Sequence, residues 1–156
     1  MGDLTPDFSL HEALRSETAK RKRISNKPNL KQFQGICQSA VGMQFVRDLI
    51  GRSISPSSWL RVDLLNIAVG STSEGHKKGV CIDFGSEWDD IYDVFVKICK
   101  SEIPFSKIIF EDHKKNVKWI HIEFDFSVVA SQRGKIFRSA RVGGKVVYKP
   151  LTVGQL

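Results

Sequence analysis

The chain has 156 residues, of which 41% are hydrophobic and 26% charged, a composition typical of a soluble globular domain. Its 24 lysines and arginines outnumber 17 acidic residues, so the formal net charge is +7, which favours anionic partners. No apolar stretch is long enough to span a bilayer, and the N-terminus lacks the apolar region of a secretory signal. We therefore expect a single domain over residues 1–156, made as a cytoplasmic product.

Two helices are predicted in the first fifty residues. Ser9 and Glu12 have capping-box spacing, which predicts a first helix that ends where the basic run Lys20–Arg23 begins. We interpret this run as a solvated loop, and the absence of interleaved aromatic side chains argues against a base-stacking surface. A second helix is expected over Leu30–Ile50, capped by Asn29. Its apolar residues recur at helical spacing and are predicted to be core: Leu30, Phe33, Ile36, Cys37, Ala40, Val41, Phe45, Val46 and Leu49.

The middle of the chain predicts a short helix, a loop and a strand. The helix is expected over Leu60–Val69, and a loop rich in serine and glycine then carries His76. Alternation over Gly79–Phe84 predicts a strand whose apolar face is opposite Cys81 and Asp83. We interpret all three cysteines of the chain as buried, reduced thiols, because they are far apart in apolar patterns. An amphipathic helix follows, with an apolar stripe formed by Trp88, Ile91, Val94, Phe95 and Ile98.

The last third of the chain predicts a sheet. A strand pair is expected at Lys107–Glu111 and Lys118–Phe126, separated by a polar loop that should expose His113. On the second strand, His121 faces the side opposite the isoleucines. A final hairpin is expected over Lys135–Lys149. The order of elements predicts an α+β domain with N-terminal helices, one inserted helix and a small, mostly antiparallel sheet.

Two histidines and one carboxylate lie at the edges of strand-like apolar runs, namely His76, Asp83 and His121. Together they are a plausible set of three protein ligands for a catalytic zinc ion, with the fourth position left for water. The spacing of His76 and Asp83 is weak evidence by itself, because short motifs match by chance. The alternative at this point is a basic globular domain in which these residues are structural.

Several segments resemble one known family. Gly75–Asp83 resembles the signature of the zinc D-Ala-D-Ala carboxypeptidases and L-alanyl-D-glutamate endopeptidases, which reads Ser-x-His-x-x-Gly-x-Ala-x-Asp. Trp119–His121 is similar to the family's later Trp-x-His element, and Ser57–Gly70 resembles its Ser-Gly-Tyr-Arg-Ser segment and the continuation of that segment. The opening Leu4–Leu10 is similar to the phage and prophage branch. The resemblance spans residues 4–126 and implies a Hedgehog/DD-peptidase-like fold.

The resemblance also implies roles for particular residues. His76, Asp83 and His121 match the ligands of Zn²⁺, and Arg61 matches the arginine that binds a substrate carboxylate or carbonyl. An arginine fork suits the carboxylate-rich stem peptide of peptidoglycan. Cys81 occupies the alanine position of the signature, which is one departure from the family pattern.

The position of the general base is where the chain departs most from the family pattern. The family's best-known members have a catalytic carboxylate three residues before the last histidine, where this chain has Lys118. Glu111, at the end of the preceding strand, is the expected substitute, because it can approach the metal from a neighbouring strand. The alternative is that Glu111 is a solvated strand-end charge. Glu123 is a weaker candidate for the base, and it could instead orient a histidine.

These implications lead to three functional hypotheses. The first is a zinc metallopeptidase that hydrolyses peptide bonds of peptidoglycan, a monomeric phage or prophage lytic enzyme without a separate wall-binding domain. It would be made in the host cytoplasm without a signal peptide and act at the cell wall, in free or virion-associated form. The second is an inactive, virion-associated structural protein of the same fold, with a decayed site marked by Leu60, Glu74 and Lys118. The third, ranked last, is a basic nucleic-acid-binding module.

Overall fold

The computed structural model describes residues 2–156 and has an α+β architecture, as predicted. In these residues the α-helices are α1 (Leu10–Leu14), α2 (Glu17–Lys22), α3 (Leu30–Ile50), α4 (Asp63–Ala68), α5 (Glu74–Lys78) and α6 (Ile91–Cys99). The strands are β1 (Cys81–Phe84), β2 (Lys107–Lys114), β3 (Val117–Glu123), β4 (Lys135–Val142) and β5 (Lys145–Leu151). Within the same residues, no helix is both long and apolar enough to cross a membrane.

The five strands form one mixed sheet in the order β1-β3-β2-β4-β5. Neighbouring strands are antiparallel except for β2 and β4, which are parallel. The loop 124–134 connects the end of β3 to the start of β4. Because β2 lies between these two strands in the sheet, the loop passes β2 and places β4 on its far side. The sheet is therefore mostly antiparallel, as predicted, and the expected terminal hairpin is formed by β4 and β5.

The helix caps agree with the sequence pattern, but the first helix is shorter than predicted. Ser9 and Asn29 both form capping boxes, and α3 has the predicted limits. The first helix stops at Leu14, because Arg15 adopts an extended conformation. The Ser16 side chain then accepts a hydrogen bond from the Ala19 amide and caps a separate helix, α2.

The prediction that the whole apolar stripe of α3 is core was wrong. Ile36, Ala40 and Val46 are buried, whereas Val41 and Phe45 are about half exposed. The remaining buried positions of this helix are Gly35, Ser39, Gly42 and Met43. The buried face of α3 carries small side chains, which let the helix lie close to the rest of the core. The face of α3 with the largest apolar side chains is therefore not the face that is buried.

Close packing of α3 is clearest at Gly42. A Cβ atom at this position would lie 2.3 Å from the ring of Phe124, which is itself fully buried. The apolar face of the sheet packs in the same core as α3 and α6, and its side chains are Ile82, Phe84, Ile108, Phe110, Ile120, Ile122 and Phe124. The opposite face of the sheet is therefore available for polar side chains.

We predict that Gly42→Ala lowers the free energy of unfolding by about 1–3 kcal/mol, because the added methyl group overpacks the core against Phe124. Alanine would raise stability by about 1 kcal/mol at an exposed helix position, so the sign of the change is diagnostic. Urea denaturation measures it. The control is Val41→Ala in the same helix, expected to change stability by less than about 0.5 kcal/mol. A stabilised Gly42→Ala protein would contradict the close approach.

Candidate metal centre

The polar face of the sheet lies beneath an open cleft of about 1020 Å³. The loop before α5 and α5 itself border one side, and Tyr148 of β5 borders another. The cleft is lined by all five residues predicted from the sequence to form the site, namely Arg61, His76, Asp83, Glu111 and His121.

Strand register brings the two strand residues of the predicted metal site together. Asp83 is paired with His121 across β1 and β3, so their side chains project from the same face. His76, by contrast, lies within α5 and not in a loop, which corrects the sequence prediction. The Ser73 side chain caps this helix, and Gly79 ends it with a positive φ of 74°.

Helix α5 lies directly against the sheet at Gly75. A Cβ atom at this position would be 2.8 Å from Oε1 of Glu123 and 3.0 Å from Sγ of Cys81. The lack of a side chain at Gly75 therefore allows the close approach that places the next residue, His76, over β1 and β3.

Asp83 connects the charged groups of the site. Its Oδ1 accepts a hydrogen bond from Nδ1 of His121 at 2.8 Å, and its Oδ2 lies 3.1 Å from Nε2 of His76. The other imidazole nitrogens have separate acceptors. His76 Nδ1 donates to the Trp59 carbonyl at 2.6 Å, and His121 Nε2 donates to Glu123 Oε1 at 3.1 Å. Both rings are thus oriented by outer hydrogen bonds, the arrangement that metal-binding histidines usually show.

Cys81 is a member of the cluster that the sequence analysis did not identify as functional. Its Sγ and one nitrogen each of His76 and His121 all lie within 4.8 Å of one another, and this buried group could hold a metal ion. The three cysteines are free thiols, as predicted, but the prediction that all three are buried was wrong, because Cys37 is partly exposed. The available signal was the strand alternation, which put Cys81 on the same face as Asp83.

The surroundings of His76 and His121 favour the protonated, positively charged form of both imidazoles. Burial lowers the pKa of His76, but the negative charges of Cys81 and Asp83 outweigh burial and raise the pKa to about 9. Burial also lowers the pKa of His121, yet the negative charge of Cys81 and the hydrogen bonds to Asp83 and Glu123 hold this pKa well above the usual value. Burial raises the pKa of Asp83 and Cys81, and the two histidines more than reverse this and lower both.

Arg61 reaches the cluster from an extended segment beside β1. Ser58 and Asp83 form a short antiparallel bridge, and the Arg61 amide donates to the His76 carbonyl at 3.0 Å. The Arg61 guanidinium donates to Oδ2 of Asp83 at 3.0 Å and to Oγ of Ser58 at 2.8 Å. The predicted substrate-binding arginine therefore contacts a predicted metal ligand directly.

Glu111 lines the same cleft from β2, the strand next to β3, and is buried rather than solvated. Nδ1 of His113 donates to its Oε2 at 2.9 Å and lies 3.0 Å from Oγ of Ser139. His113 was predicted to be exposed, which was wrong, because β2 extends to Lys114 and the His113 side chain is only 11% exposed. A register shift between Glu111 and Lys114, of the kind a β-bulge produces, includes His113.

Lys118 is absent from the residues that line the cleft, so it does not replace a carboxylate there. Its side chain is about half exposed and lies 3.7 Å from Asp112. The acidic side chains nearest the imidazoles of His76 and His121 are instead Asp83 of β1 and Glu123 of β3.

The chain has also been compared with known proteins. No protein-family model matches it, and no curated protein matches it either.

We predict that Asp83→Asn lowers the free energy of unfolding of the metal-free protein by about 2 kcal/mol, since charged hydrogen bonds from buried imidazoles and Arg61 are lost. Chemical denaturation in the presence of a chelator measures this. The same substitution at the exposed Asp89 is the control and should change stability by less than about 0.5 kcal/mol. Equal stabilities of the two variants would show that Asp83 does not connect the cluster.

Proposed function

We propose that this protein is a zinc metallopeptidase that hydrolyses peptide bonds of peptidoglycan, with a Hedgehog/DD-peptidase-like fold. The observation that carries the proposal is the convergence of two imidazole nitrogens on the Asp83 carboxylate, next to an open cleft. The ordered resemblance of residues 4–126 to the zinc carboxypeptidases and endopeptidases supports the same assignment. It also favours a phage or prophage lytic enzyme that acts at the cell wall.

The charges of the cluster fit a divalent cation. Nε2 of His76 and Nδ1 of His121 both lie next to Asp83, and the raised pKa of each ring places a proton there. Replacement of those two protons by one divalent cation leaves the total charge unchanged, and metal binding releases protons in this way. The nitrogen-to-oxygen distances are 3.1 and 2.8 Å. The three side chains that would hold the ion, His76, Asp83 and His121, are therefore already in contact.

When bound, a zinc ion supplies a Lewis acid that polarises a carbonyl group and lowers the pKa of a water molecule to about 7. Glu111 is the residue we assign as general base. It lines the same cleft, and its Oε2 is fixed by His113 while Oε1 is outside that contact. The carboxylate would accept a proton from the attacking water and return it to the leaving amine.

Arg61 is the residue we assign to substrate binding. It lines the cleft, and its guanidinium has more N–H donors than its contacts with Ser58, Ser71 and Asp83 use within the described residues. A remaining donor can bind a carboxylate of the peptidoglycan stem peptide. The net charge of +7 favours approach to an anionic wall.

The zinc ion is tested by metal analysis. We expect purified protein to bind about one zinc ion per chain, and we expect His76→Ala to lower zinc affinity at least about tenfold. His11→Ala is the matched control, because His11 is exposed on α1 and should leave zinc binding unchanged. Mass spectrometry under native conditions counts the bound ions. Equal zinc binding by the two variants would overturn the assignment of His76.

The general base is tested by Glu111→Gln. We expect hydrolysis of purified peptidoglycan to fall by about a hundredfold or more while zinc content is retained, since only proton transfer is lost. Chromatography of the released peptides measures the rate. Glu102→Gln, at an exposed position, should keep the wild-type rate. If Glu111→Gln keeps the wild-type rate, Glu111 is not the general base. If the wild-type protein releases no peptide, the inactive structural protein becomes the better hypothesis.

A further inference from the structure

Cys81 lies where a metal ligand would be expected, although the function proposed above does not use it. The residue is fully buried, belongs to β1 and projects from the same face as Asp83. Its Sγ lies within 4.8 Å of one nitrogen each of His76 and His121. Two imidazoles and one thiol, both common zinc-binding groups in proteins, therefore lie close together.

The surroundings of Cys81 keep its sulfur in the cluster. Backbone at Gly75 lies so close that even a methyl group at that position would be 3.0 Å from Sγ. The cross-strand partner of Cys81 is Glu123, which binds His121 and Lys107. The thiol thus has α5 on one side and the imidazole of His121 on another, and it has little room to turn away.

We propose that the thiolate of Cys81 is a fourth protein ligand, which joins the two histidines and Asp83 and closes the centre around a thiophilic divalent cation. The inference rests on the proposed metal centre but not on its peptidase activity. On binding, the sulfur and the two imidazole nitrogens form bonds to the cation, and the protons that these groups carry are released to solvent.

The additional ligand has two chemical consequences. A thiolate favours zinc, cobalt and related borderline ions over magnesium, calcium and manganese, which prefer oxygen ligands. Four protein ligands also complete a tetrahedral site, whereas catalytic zinc sites keep one position open. Cys81 would therefore compete with water and substrate for the last position, and hydrolysis would require its displacement. The family signature that Gly75–Asp83 resembles has an alanine at the position of Cys81, and alanine offers no such ligand.

Cobalt binding tests this inference without a peptide substrate. We expect the Co²⁺-loaded wild-type protein to show a near-ultraviolet charge-transfer band, which arises only when sulfur is bonded to the ion. Cys81→Ala should lack this band but keep the visible absorption of bound Co²⁺, because three ligands remain. Cys37→Ala is the control, since Cys37 lies on α3 outside the cluster, and it should keep both signals.

A second measurement needs no variant and so does not depend on how Cys81→Ala folds. X-ray absorption of the zinc-loaded wild-type protein should contain one sulfur neighbour at about 2.3 Å together with nitrogen or oxygen neighbours at about 2.0–2.2 Å. We also expect the zinc affinity of Cys81→Ala to be at least about tenfold lower than that of the wild-type protein.

The outcomes separate this inference from the proposed function. Bound metal with no sulfur neighbour and no charge-transfer band would overturn the role of Cys81 and leave the proposed zinc centre intact. Failure of the wild-type protein to bind either ion would overturn both. A charge-transfer band that persists in Cys81→Ala and disappears in Cys37→Ala would assign the sulfur to another site and also overturn the inference.

Discussion

A single buried carboxylate, Asp83, joins four separate segments of the chain. It belongs to β1, and it binds His121 of β3, His76 of α5 and Arg61 of the extended segment beside β1. Each of these groups carries positive charge when protonated, and burial of such charge is costly without a partner. The site therefore depends on Asp83, since it is the shared partner that offsets the burial of two imidazoles and a guanidinium.

Backbone packing makes this arrangement possible. The antiparallel register of β1 and β3 sets Asp83 opposite His121, and a glycine at position 75 lets α5 lie against both strands. Small residues on α3 allow the same close contact in the apolar core, where Gly42 meets Phe124. At both places glycine allows close contact but loses more backbone entropy on folding than other residues do. Burial of the surrounding side chains offsets this cost.

The donor set of the centre determines what a bound cation could do. Asp83 and the two histidines alone would leave a position for water, as a hydrolase requires, whereas the addition of Cys81 would complete a tetrahedron. The same four side chains could therefore form a centre with one position open for water, or a centre with all four positions filled, depending on whether sulfur is bonded to the ion. Glu111 and its partner His113 lie on the neighbouring strand β2, outside this donor set, so the proposed proton transfer and the proposed metal binding can be tested separately.

Local patterns in the sequence were sufficient for much of the fold. Capping residues and apolar spacing predicted the limits of α3, and alternation predicted the faces of β1 and β3, because both depend on near neighbours in the chain. The same patterns put His76, Asp83 and His121 forward as site residues, whereas Arg61 came from the family resemblance. Alternation alone could not show that the Cys81 thiol meets two imidazoles, nor that His113 turns inward to bind Glu111. Those contacts join residues distant in sequence or follow a register shift of β2, so only the tertiary structure decided them.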